Sequence, residues 1–421
     1  MAKVKCSFCS KEINREDISQ GKELVFLGVS DHTLICSECV VQCKNILEKQ
    51  VEISSSNNLA DSSLAEVTPK SIKANLDDWI IGQEEAKITL STALYNHYKR
   101  INQQDDEVLI DKSNIILVGS TGSGKTSTVN ALAKQLQLPL IVEDVTGFSA
   151  TGYVGGDVED ILKRLLDAAN GNKELAQNGI VLLDEGDKIR RKSGGANATK
   201  DVNGEGVQQR LLKLVEGGTY DIKTKKGIVK FNTKNVLFIL GGSFEGIENI
   251  IEKRLKEKSK KNSGGFTGTV KSKTDEQAYN NLIVQVKHED LKNFGMTPEL
   301  LGRFPVVTAL RELSEQALVD ILTKPKNAIT KQYAALFEKD NVELDFSQEA
   351  LISIAKEAKA RKIGARALKS IVEEVLKKAM FEVPGTDIKR VCVQDNLRVN
   401  YYTQEQINSN TNDNEKMESL S

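Results

Sequence analysis

The residues best suited to chemistry form one run, Gly119-Ser120-Thr121-Gly122-Ser123-Gly124-Lys125-Thr126-Ser127. It matches G-x-x-x-x-G-K-[ST], follows the apolar run Asn114–Val118 and precedes a helical pattern. That context separates a phosphate-binding loop from an ordinary glycine-rich turn. Gly122 and Gly124 let the backbone aim its N–H groups, and the N-terminus of the next helix, at an anion. Lys125 is then expected to reach the β- and γ-phosphates, and Thr126 to lend a hydroxyl to Mg2+. Further along, the apolar run from Gly179 ends in Asp184-Glu185. Alone, such a pair is often just the polar end of a strand. Beside a phosphate loop, Asp184 reads as the magnesium-orienting carboxylate and Glu185 as the group that activates or orients water.

A second constellation is Cys6-x-x-Cys9 and Cys36-x-x-Cys39, with 26 residues between the pairs. The first apolar stretch is broken by Lys3, Lys5 and Lys11, so no export signal is expected, and paired cysteines then argue for metal rather than disulfides. Four thiolates close a tetrahedral Zn2+ with no open position, which is structural metal. His32 and Cys43 are alternative ligands. His32 also reads as a turn residue, and Cys43, at helical spacing from Cys39, as a small buried hydrophobe. A module this small has little core, so the metal should supply most of its folding energy.

These residues need elements to position them. Short apolar runs at Asn114–Val118, Leu140–Val142, Ile180–Leu183 and Val236–Leu240 have the length of strands buried on both faces, alternating with helical patterns as in a parallel α/β sheet. Ligands in such sheets sit beyond the carboxyl ends of the strands, where both motifs fall. The expected organisation is a zinc-binding module (1–48), a Ser/Asn-rich tether (49–68), a large α/β domain (69–311), a small, mainly helical domain with strands at Val342–Phe346 and Val391–Val399 (312–402), and a disordered polar tail (403–421). No run approaches the ~18 apolar residues of a membrane span. The net charge of −1 offers no global field for nucleic acid. The basic clusters Lys223–Lys226 and Lys253–Lys261 read as solvated loops or partner-touching ones. A cytoplasmic protein with neither membrane nor nucleic-acid partners is expected.

Further motifs carry a resemblance. Ile80-Ile81-Gly82-Gln83 with Tyr95-Asn96-His97-Tyr98-Lys99-Arg100, then Gly152-Tyr153-Val154-Gly155, Gly204–Gln209, Pro298-Glu299-Leu300-Leu301-Gly302-Arg303 and Gly364-Ala365-Arg366 stand in the order found in the ClpX family of AAA+ protein-unfolding ATPases. The chain resembles that family along nearly its whole length. The resemblance implies an AAA+ P-loop ATPase with a lid domain and a zinc-ribbon-like N-terminal module, using ATP, Mg2+ and Zn2+. It implies a homohexameric ring that threads protein substrates, takes adaptors through its zinc domain, and serves the peptidase ClpP. By that likeness Ile81 frames the adenine, Tyr153 and Val154 grip the substrate in the pore, Arg303 is an arginine finger for the neighbouring subunit, and Arg366 is a lid sensor. Read without the family, Arg303 is a surface ion-pair residue, and Gly-Tyr-Val-Gly is equally an ordinary turn.

Three departures stand out. The family's Asp-Glu-Ile-Asp reads Asp184-Glu185-Gly186-Asp187 here, which predicts looser packing behind the catalytic strand. The Ile-Gly-Phe that docks on ClpP reads Gly264-Gly265-Phe266, leaving Phe266 as the only apolar anchor. An isoleucine filling a pocket contributes ~1.5–3 kcal/mol per loop, so its loss predicts weaker docking. The pore-entrance Arg-Lys-His is replaced by Lys223-Thr224-Lys225-Lys226-Gly227. The leading function is therefore an ATP-driven unfoldase and translocase. A protease-independent remodeller and a non-hydrolysing scaffold subunit are the competing readings.

Overall fold

The computed structural model describes residues 3–9, 12–14, 26–30, 33–44, 67–102, 108, 110–148, 158–191, 202–225, 227–262, 276–361 and 363–408. The chain divides into two compact units, Met1–Val67 and Thr68–Ser421. In the smaller unit, β1 (Lys3–Lys5) pairs antiparallel with β2 (Glu12–Asn14), and β3 (Phe26–Ser30) with β4 (Thr33–Cys36). A helix over 37–44 follows β4. Among the described residues of this unit, the buried cluster is sulfur: Cys6, Cys36 and Cys39, with Ile35 packed against them.

The larger unit opens with the helices Pro69–Asp77 and Glu84–Ile101. Then come β5 (Ile115–Val118), β6 (Leu140–Asp144), β7 (Ile180–Asp184), the antiparallel hairpin β8 (Thr219–Thr224) and β9 (Gly227–Asn232), β10 (Leu237–Gly242) and β11 (Val306–Ala309). Five of these form one parallel sheet in the order β11-β5-β10-β7-β6. Every residue of β5 and β10 is buried, as the continuous apolar runs require, whereas edge strand β6 alternates. The parallel α/β expectation holds. The sheet has one strand more than expected, because Val306–Ala309 is only four residues long, follows Pro305 and is only half-buried over its first two residues. The basic run at Lys223 is a hairpin turn: Thr224 pairs with Gly227, and Ile222 and Phe231 are buried in the core.

The sheet and its helices share one hydrophobic core, from Ile116 to Ala309. A second core, from Leu318 to Val393, belongs to the lid. The lid comprises the helices Glu315–Thr323, Ile329–Glu338, Gln348–Ala360 and Arg366–Glu382 and a three-stranded sheet of β12 (Glu343–Phe346), β13 (Ile388–Val393) and β14 (Val399–Thr403). The run expected as a single strand, Val391–Val399, is instead two antiparallel strands. Asn396 and Leu397 adopt positive φ and turn the chain between them. Among the described residues no helix is long and apolar enough to cross a membrane. Most of the expected tether and tail, 49–68 and 403–421, lies outside the described residues.

Candidate nucleotide site and metal centre

The phosphate loop joins β5 to the helix Lys125–Gln135 at the carboxyl end of the sheet. Its first residue is tied to the neighbouring strand, Gly119 N–H donating to Gly242 O at 3.1 Å. Gly122 and Gly124 have φ of 79° and 101°, a region that penalises a Cβ. Gly122 has a second reason to be glycine: a Cβ there would fall on the carbonyl of Ile363. The helix begins at Gly124 without any side-chain cap. Its first N–H groups are therefore left for a ligand.

Lys125 lies buried at the head of that helix, its Nζ donating to Gly119 O at 2.6 Å and Ser120 O at 3.2 Å. Burial lowers its pKa, Asp184 pulls it back up, and the Arg366 guanidinium pushes it down again. The loop lysine, the strand-end carboxylate and the lid arginine thus share one neighbourhood. Thr126 Oγ1 donates to Asp184 Oδ2 at 3.4 Å, placing hydroxyl and carboxylate as adjacent oxygens, the donor type Mg2+ takes. Ser127 is exposed on the helix, and Ser123 is buried. Glu185, half-buried, follows Asp184 in the left-handed region at φ 58°, its N–H donating to Asp184 Oδ1 at 3.0 Å.

The acidic box is braced from β10. Asp187 is buried and accepts Ser243 N–H at 3.0 Å, Ser243 Oγ–H at 3.1 Å and Lys188 Nζ at 3.0 Å. These contacts correct the expectation for Gly186. No slack is left behind the strand, because a Cβ on Gly186 would stand 2.6 Å from Leu240 Cδ1. Leu240 fills the space that a branched residue would take.

Arg366 opens the helix Arg366–Glu382, and Ala365 N–H donates to Gly122 O at 3.2 Å, so lid and phosphate loop touch through backbone. Ile81 is half-buried in the turn before the helix Glu84–Ile101, and the Gln83 amide binds both backbone groups of Arg311, just past β11. The two halves of the expected adenine-framing segment separate here. Tyr98 donates to Asn178 O, His97 Nε2 lies 3.0 Å from Asn235 O and Arg100 donates to Lys234 O, all at the amino end of the sheet. An 18-residue helix is ~27 Å long, enough to carry its two ends to opposite ends of the sheet.

Arg303 is not in this site. Its carbonyl accepts from Asn114, the residue before β5, and its guanidinium pairs with Glu216 at 2.7 Å. The climb from Asn114 to Gly119 is five residues, or ~16 Å at strand rise. The arginine therefore sits at the far end of the sheet from its own phosphate loop. Tyr153, Val154 and Phe266, with Gly264 and Gly265, lie outside the described residues, as does His32.

In the smaller unit the ligand sulfurs of Cys6, Cys9, Cys36 and Cys39 all lie within 4.8 Å of one another, and Cys9 Sγ is 3.7 Å from Cys36 Sγ. A tetrahedron with metal–sulfur bonds of ~2.3 Å has edges of about 3.8 Å, so the cluster fits a bound metal ion. Backbone N–H groups, that of Cys9 foremost, hold the Cys6 thiol down to about 6, while burial pushes Cys39 up to about 12. Four sulfur ligands this close together are compatible with a metal ion among them. Cys43, half-exposed, is not part of the cluster.

Sequence signals missed two supports: Asp187, which reads as part of the acidic box, and Ser243, which sits in a glycine-rich strand end with no motif.

Comparison with known proteins agrees with this geometry. Residues 110–307 match the AAA domain (Cdc48 subfamily), and residues 313–387 match the C-terminal, D2-small domain of ClpB protein. A Treponema denticola protein named ATP-dependent Clp protease ATP-binding subunit ClpX is 42% identical over 389 residues, covering 90% of each chain. Proteins of the same name from Borrelia duttonii and Borrelia recurrentis are each 42% identical over 399 residues, 92% of this chain and 89% of theirs.

Proposed function

The chain belongs to the ClpX family of AAA+ ATPases, and from that premise we propose that it is a protein unfoldase and translocase acting as a hexameric ring in the cytoplasm. Lys125 and the N–H groups of Gly122 to Thr126 hold the β- and γ-phosphates, with Ser120, Thr121 and Ser127 flanking them and Ile81 against the base. Thr126 and Asp184 would hold Mg2+, which would supply charge neutralisation at the phosphates. Glu185 takes the proton of the attacking water. Arg366 reads the phosphates from the lid and makes the lid angle depend on the nucleotide.

The observation that carries the ring is the position of Arg303. An arginine ~16 Å from its own phosphate loop cannot serve it, yet its paired, half-exposed guanidinium is free to exchange Glu216 for a phosphate of another chain. Arginine supplied in trans stabilises the charge of the transferring phosphoryl group. Zn2+ on Cys6, Cys9, Cys36 and Cys39 holds the N-terminal module, which receives adaptors and substrates.

Tyr153 and Val154 press on the threaded chain. With Tyr153→Ala, ATP turnover is expected to persist while unfolding of a tagged fluorescent substrate stops; unchanged unfolding removes the pore role. Because Gly264-Gly265-Phe266 presents a single anchor, remodelling without a protease is the second reading. Loss of the fluorescent substrate into peptides when ClpP is added would decide for the proteolytic one.

A further inference from the structure

The large domain and the lid are joined by one covalent segment, Leu310–Ser314, between β11 and the helix Glu315–Thr323. Any rotation of the lid must change backbone dihedrals there. Two side-chain amides hold this segment, one from each of two separate elements of the large domain. Gln83 Nε2 donates to Arg311 O at 2.9 Å, and Arg311 N–H donates to Gln83 Oε1 at 2.8 Å. On the next residue, Glu312 N–H donates to Asn280 Oδ1 at 2.7 Å, and Asn280 Nδ2 donates to Glu312 O at 3.3 Å. Each amide satisfies both the donor and the acceptor of one hinge residue, as a neighbouring strand would. Consecutive residues of an extended chain point these groups in opposite directions. The hinge is therefore gripped from two sides.

Two further observations point the same way. Gln83 is a non-glycine residue at φ 60°, beside Gly82 at φ 65°, and such strained backbone persists only where its surroundings over-determine it. Asn280 lies on the helix Glu276–Ile283, which also reaches the lid directly through Glu276 and Lys359, 2.7 Å apart.

We propose that Gln83 and Asn280 are positioning residues for the ATPase cycle: a two-sided amide clamp that fixes the hinge backbone and so the angle at which the lid presents Arg366 to the phosphate loop. Gln83 ties that angle to the turn that carries Ile81, and Asn280 ties it to the outer helix. The inference rests on the proposed nucleotide-dependent lid movement for its consequence, but not for its geometry.

The test uses the full chain with spin labels on bio-orthogonal side chains at Asp167 and Lys356, exposed positions on the large domain and the lid. Distances are measured with ADP and with a non-hydrolysable ATP analogue. Gln83→Met and Asn280→Leu keep the shape and remove both hydrogen bonds, enough to shift a local equilibrium roughly tenfold. Each is expected to broaden the distance distribution in both nucleotide states and to lower kcat for ATP several-fold. KM should stay within about twofold, as expected for an interaction that does not hold substrate. Distributions as narrow as the parent's, or a rise in KM at unchanged kcat, overturn the clamp. A parent whose mean distance ignores the nucleotide would refute the lid movement, while the widths still judge the clamp. A melting temperature near the parent's shows that the variants fold.

Discussion

The two ends of the five-stranded sheet are built from similar residues and behave differently. At the carboxyl end stand Lys125, Arg366, Asp184 and Glu185. At the amino end stand His97, Arg100, Lys112, Arg303 and Glu216. Lys112 donates to Val215 O at 3.0 Å and Thr233 O at 2.9 Å, and Arg100 to Lys234 O at 3.0 Å. These cations are committed to carbonyls that strands and helices leave over, a structural use of charge at helix C-termini. The carboxyl end differs in its unclaimed N–H groups: the helix beginning at Lys125 has no side-chain cap, whereas Thr68, Thr297, Ser314 and Ser347 cap theirs. A cluster of cations alone does not mark an anion site; open backbone donors beside it do.

Arg303 tests that contrast most severely, because it stands with the amino-end cations yet is assigned to phosphate. Arg303→Ala is expected to cut ATP turnover by ~10³-fold or more. The half-exposed pair with Glu216 should cost no more than ~1 kcal/mol of stability. Mixing the variant with Lys125→Ala chains, whose arginine is intact, should restore part of the turnover in a steady-state assay. Full activity in Arg303→Ala alone would return the residue to the structural set.

The carboxyl end is tested by Gly186→Ile, which forces a branched side chain onto Leu240. Overpacking of this kind costs about 1–3 kcal/mol in denaturant unfolding, and Leu240→Ala in the same chain should recover much of it. A Gly186→Ile chain as stable as the parent would mean that Leu240 yields without cost.

A pH-dependent effect belongs to His97, whose pKa is held near 3 by burial first, with the Arg100 and Lys112 charges adding to it. Unfolded, the imidazole titrates near 6.5. Between those values the unfolded chain binds the extra proton, so stability is lost as pH falls through the window from about 6.5 toward 3. His97→Gln should flatten that part of the stability curve, read by unfolding at pH 7.5 and pH 5. ATP turnover at pH 8 should stay within about twofold.

Much of the nucleotide site was legible because a phosphate loop is local. Its glycines, lysine and threonine are consecutive, and the strand before it is a plain apolar run. The cysteine pairs were legible for the same reason. β11 was not, since four residues after a proline, two half-buried and two buried, carry little pattern. The chain reversal at Asn396 and Leu397 was hidden because no glycine marks it. The expected looseness at Gly186 failed because Leu240, far away in sequence, supplies the missing volume. Helix length alone separated Ile81 from His97, two parts of what reads as one motif.

By itself the sequence determined the fold class, and it pointed to the phosphate-loop motif, the acidic pair and the four cysteines that the structure gathers. Each depends on backbone conformation or ligand type within a few residues. Tertiary structure alone decided which end of the sheet Arg303 occupies, that Arg366 comes within the field of Lys125, and that two amides meet at the hinge. Those relations depend on strand order and on side chains up to 228 residues apart in the chain, and no local pattern encodes such distances.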